Sequence, residues 1–82
     1  MPVFAGIDVS ARELTVAVVD GAAKPQVTTF KQTPEGHRRL AAHLRTADQV
    51  VMEATGIYYL DAAVVLHEAG LCLSVINPRA AH

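Results

Sequence analysis

The hydrophobic period of this chain changes at Thr33-Pro34, and that change limits its fold more than any other feature. Ahead of it lie short apolar runs with the alternation of strands. VFAGIDVS puts Val3, Ala5, Ile7 and Val9 on one face and Phe4, Gly6 and Asp8 on the other. The polar break Ser10-Ala11-Arg12-Glu13 is short enough for a hairpin loop, and LTVAVVD follows as a second strand rich in β-branched residues. Asp20-Gly21 is a strong turn signal, after which PQVTTFKQ reads as a third, more polar strand. Its Pro25 and mixed faces assign it to the sheet edge.

Beyond the change the pattern is helical and then alternates. Thr33-Pro34-Glu35 combines a capping hydroxyl, a proline at the first helical position and an acid in the first turn. His37, Leu40, Ala41 and Leu44 follow along one side of the predicted helix. Asp48 and Gln49 lead into VVMEAT, expected as a buried strand. A second helix is predicted over about residues 57–69, with Leu60, Ala63, Val64 and His67 as its apolar stripe and Gly70 as its stop. LCLSVI is the fifth strand, ended by Asn77-Pro78. The order is three antiparallel strands and then αβαβ, whose crossovers require parallel pairing. A mixed five-stranded α/β sheet is the expectation.

Length allows one domain, residues 1–82, near the lower end of what one core stabilises. With 51% hydrophobic and 18% charged residues the chain is no disordered segment. Sheets of this class are covered by helices on both faces, and only two helices are legible. The chain is therefore expected to be C-terminally incomplete, the N-terminal portion of a larger domain. A net charge of −1 gives no bulk attraction to nucleic acid or anionic lipid, so any such contact needs a local patch. Phe4, Phe30, Tyr58 and Tyr59 are the whole aromatic content, too little for a single-strand stacking platform. Cys72 has no partner for an internal disulfide and reads as a small packed hydrophobe. Neither a secretory signal nor a bilayer-length apolar run is present, so a cytoplasmic location without a membrane partner is expected.

Asp8 and Glu53 each interrupt an apolar run read as a buried strand. An unpaired carboxylate there loses hydration without compensation, and two on neighbouring strands repel unless a cation or a shared proton holds them. If the first and fourth strands are neighbours, about 4.8 Å apart, both carboxylates reach one cation. Hard oxygen donors of this kind suit Mg²⁺ or Mn²⁺, and such sites serve phosphodiester displacement. The plainer reading is that Asp8 caps the hairpin loop and Glu53 accepts bonds from the start of the next helix. Spacing alone leaves both open.

GIDVSARELTVAVVD, VVMEATGIYYLDAAVVLHEAG and VINP resemble the N-terminal domain of the insertion-sequence transposases with an Asp-Glu-Asp-Asp tetrad (DEDD), relatives of the Piv-type DNA invertases. The resemblance runs over roughly residues 3–79. It implies a ribonuclease-H-like, RuvC-like fold, with Asp8 as the family's first acid and Glu53 as its second, both catalytic metal ligands. It implies DNA transposition and recombination: Mg²⁺- or Mn²⁺-dependent DNA binding, cleavage and strand transfer by a homo-oligomer. In some members a structured guide RNA takes part. The tetrad's last two acids usually follow the Asn-Pro segment in such families, beyond His82, so these residues alone are expected to be inactive.

Arg38, Arg39 and Arg45 on the first helix, and Arg79 after Asn77-Pro78, are candidate phosphate contacts for DNA or RNA. A solvated helix face beside Glu35 and a simple loop arginine are the ordinary readings. His37 and His67 read as histidines at the edge of the core, His43 as exposed, and Ser10 as a turn residue. Two other functions compete. An actin-like ATPase or sugar kinase also opens with a Gly-Ile-Asp strand and a phosphate-cradling hairpin, but usually with Gly and Thr or Ser in the turn. A non-catalytic oligomerisation or RNA-binding module is the other.

Overall fold

The computed structural model describes residues 2–21, 24–54 and 56–77. The elements are β1 (Val3–Val9), β2 (Glu13–Asp20), β3 (Gln26–Lys31), α1 (Pro34–His43), β4 (Gln49–Glu53), α2 (Leu60–Glu68) and β5 (Leu73–Ile76). They form one five-stranded sheet in the order β3-β2-β1-β4-β5. β2 runs antiparallel to both β1 and β3, while β4 is parallel to β1 and β5. The expected mixed sheet is thus observed, with β3 at one edge as its polar pattern required.

Both helices cover the same face. Ala5, Ile7 and Val9 from β1, Leu14 and Val16 from β2, and Val50 and Met52 from β4 meet Leu40 and Leu44 of the α1 segment and Ala62 and Leu66 of α2. The opposite face carries Phe4, Gly6 and Asp8 in β1, Thr15 and Ala17 in β2, and Val51 and Glu53 in β4. Phe4 on that face is 50% exposed.

Local signals account for most boundaries. Thr33 caps α1, its Oγ1 accepting the Gly36 N–H at 3.0 Å, and Pro34 opens the helix. Gly21, at φ 64°, makes the turn after β2. At the far end of α2, Gly70 N–H donates to His67 O and Leu71 N–H to Leu66 O. With Gly70 at φ 83° this is a Schellman closure.

Three sequence expectations need correction. Of the stripe Leu60, Ala63, Val64 and His67 in α2, Ala63 packs against the core while Leu60, Val64 and His67 are exposed; Ala62 and Leu66 are the buried pair. α2 is apolar almost all round, so periodicity does not single out a face, and contact with α1 and the sheet decides. The helix is also shorter than 57–69. Cys72 is exposed, its Sγ 3.2 Å from Gln49 Oε1, because β5 begins only at Leu73 and forms the second sheet edge. No described helix is long and apolar enough to cross a membrane.

Candidate metal centre

Asp8 is the penultimate residue of β1, Glu53 is the last of β4, and the parallel ladder pairs the two directly. Their side chains leave the same face of adjacent strands, about 4.8 Å apart at the backbone. The register is anchored at the other end of the ladder. Val3 N–H donates to Asp48 Oδ2 at 2.7 Å, and Asp48 N–H donates to Val3 O at 2.8 Å. Counting from that anchor through Phe4↔Gln49 brings Asp8 opposite Glu53.

The expectation of burial was wrong for both acids. Each is exposed, because both helices lie on the face behind them. Lost hydration is therefore not their cost, and like-charge repulsion across the shared rung is the expected one. Among the described residues neither carboxylate accepts a hydrogen bond or joins an ion pair. The capping reading fails for the hairpin: Ser10 closes it, its Oγ donating to Glu13 O at 3.0 Å and accepting Glu13 N–H at 3.2 Å. For Glu53, no side chain caps α2.

Like charges directly opposite in a sheet destabilise it. Asp8→Asn or Glu53→Gln is therefore expected to stabilise the metal-free chain by about 0.2–1 kcal/mol, read from urea unfolding at low salt. Destabilisation by either substitution would mean that the carboxylate has a favourable partner.

Two exposed carboxylates paired on adjacent strands are hard oxygen donors of the kind Mg²⁺ or Mn²⁺ takes, and such ions keep several waters. The described residues contain no group of three or more His, Cys, Asp or Glu able to hold a metal. The arrangement fits part of a coordination shell. Along the same row, Thr15 flanks Asp8 and Ile76 flanks Glu53.

The arginines are elsewhere. Arg38, Arg39 and Arg45 are exposed on or just after α1, the helix that covers the sheet's other face. Arg39 Nη2 pairs with Glu35 Oε1 at 3.0 Å across one turn, a solvated pair of the ordinary kind. Arg79 lies outside the described residues. His67 and His43 are exposed, the latter 5.3 Å from the Phe30 ring. His37 is buried at 5% exposure, with Nε2 2.7 Å from Gln32 Oε1. Sequence reasoning singled out neither Gln32 nor Asp48 for a structural role. Gln32 bonds backbone carbonyls 22 and 26 residues away, a relation that leaves no local pattern.

The family model of the IS110-type DEDD transposases, described as a transposase, matches residues 5–82. The chain belongs to that transposase family. Its fold is that of RuvC. It aligns with Thermus thermophilus RuvC in complex with Holliday junction substrate at TM-score 0.64 and 21% identity, over 96% of this chain and 66% of that one. A second Thermus thermophilus RuvC structure aligns at TM-score 0.57 and 22% identity, over 93% and 64%. YeaZ from Pseudomonas aeruginosa aligns at TM-score 0.56 with 10% identity, over 94% of this chain and 44% of that one. The chain thus spans just under two thirds of the RuvC chains it matches. No curated protein matches it.

Proposed function

We propose that this chain supplies the first two acidic ligands, Asp8 and Glu53, of the catalytic metal centre of a DNA transposase. The observation that carries this reading is their direct pairing at the last rung of the β1–β4 ladder, on the open face. An isolated acid in a strand has many explanations; two repelling acids in register, without described protein partners, have few. Bound there, Mg²⁺ or Mn²⁺ would supply charge neutralisation for phosphodiester cleavage and strand transfer. The protein's own contribution is to hold two carboxylates at a separation set by strand spacing and to leave the adjacent face accessible to a DNA backbone. Family membership and the RuvC likeness support DNA as substrate. Further acidic ligands, a homo-oligomer and a guide RNA belong to the same reading. The residues described here are expected to cleave no DNA by themselves.

Titration of the chain with Mn²⁺, followed by electron paramagnetic resonance, tests the site. One weak site is expected, weakened at least about tenfold by Asp8→Asn or Glu53→Gln. Equal Mn²⁺ binding by the wild type and both variants would remove the metal reading.

A further inference from the structure

We infer that Gln32 is the positioning residue of the acidic pair, tying together the two loops that leave the acid-bearing strands. This rests on the assignment of Asp8 and Glu53 as a metal site. The β1–β4 ladder ends at that pair, so pairing between these strands does not hold the chain beyond it. Gln32 supplies a link there. Its Nε2 donates to Ser10 O at 3.0 Å and to Tyr58 O at 2.8 Å. Ser10 lies two residues after Asp8, and Tyr58 five after Glu53.

Chemistry fixes the orientation of this carboxamide. Both loop partners are carbonyl oxygens, so only the NH₂ end of Gln32 can face them. Its Oε1 then faces His37 Nε2 at 2.7 Å, which must carry the proton and donate. His37 is held among core residues on α1, and Gln32 N–H donates to Arg12 O at 2.9 Å. The side chain is therefore braced from the helix and from β2's entry, and it spends both amide protons on the two loops. Asp48 anchors the near end of the ladder and Gln32 the far end, where the acids are. The ladder sets the backbone spacing of Asp8 and Glu53, and the tied loops restrain the strand ends that carry them from splaying, a geometry to which a shared cation is sensitive.

Two variants of the full chain separate positioning from folding. Gln32→Glu keeps the shape but turns an oxygen toward a carbonyl; Gln32→Met keeps the bulk and removes all three bonds. Amide hydrogen exchange of the metal-free protein is expected to accelerate about five- to tenfold at residues 8–13 and 53–60. It should stay unchanged at residues 3–6, next to the Asp48 anchor. The Mn²⁺ dissociation constant is expected to rise about tenfold in folded Gln32→Met. Unchanged exchange and unchanged Mn²⁺ affinity in that variant would overturn the inference, as would global unfolding of both variants. If wild-type binding proves independent of Asp8, the metal assignment fails, while the exchange pattern still decides whether Gln32 ties the loops.

Discussion

In a transposase containing this domain, Asp8→Asn is expected to slow DNA strand cleavage about a thousandfold or more at saturating Mg²⁺. The estimate takes about 4 kcal/mol of metal-derived transition-state stabilisation, at about 1.4 kcal/mol per factor of ten. The substitution is nearly isosteric and lies on an exposed face, so it costs no packing. Single-turnover cleavage of a duplex substrate measures the effect, with thermal unfolding alongside. The two readouts should move in opposite directions: activity collapses while stability holds or rises, because a repelling charge has gone. That opposition marks a carboxylate kept for chemistry. A cleavage rate within a few-fold of wild type would take Asp8 out of the reaction.

The second large effect is on folding. Gly36 lies in the first turn of α1, where an added Cβ would collide with the backbone carbonyl of Lys31 and crowd Thr33 Oγ1. The obstacle is main chain at the end of β3, so it cannot swing aside as a side chain would. Gly36→Ala is expected to cost about 3 kcal/mol, the upper part of the range for overpacking. In a domain of this size that lowers the melting temperature by about 12–24 °C, a large share of its total stability. Gly6→Ala is the control: nothing lies within 4 Å of the added carbon. Alanine also loses less conformational freedom than glycine in a strand, so this variant should gain about 0.5 kcal/mol. Differential scanning calorimetry of the two variants reads both signs. A Gly36→Ala protein as stable as wild type would mean that α1 can move away from β3.

Elements whose signals are local were legible from residue order. Thr33-Pro34-Glu35 marks the start of α1 because capping needs only neighbours, and Asp20-Gly21 and Gly70 mark turns because a positive φ is a single-residue property. The polarity of QVTTFK placed β3 at the edge, since a central strand there would bury threonines and a lysine. The face of α2 was misread for a reason of the same physics. Its run LDAAVVLHE offers several apolar stripes, and only the position of α1 and the sheet selects Ala62 and Leu66. Cys72 was misread because an apolar run at a sheet edge stays exposed where no helix covers it.

The acidic pair divides in the same way. Sequence alone determined that Asp8 and Glu53 each interrupt an apolar strand run, that the fold is a mixed α/β sheet, and that the motifs resemble those of DEDD transposases. Period and turn chemistry are properties of adjacent residues, so they can be read in order along the chain. Tertiary structure decided which strands are neighbours, the register that sets Asp8 against Glu53, and the face on which both helices pack. It also turned the charges outward and supplied the Asp48 and Gln32 anchors at the two ends of the ladder. Those facts depend on contacts between residues 22 to 45 positions apart, which closure of the whole sheet brings together.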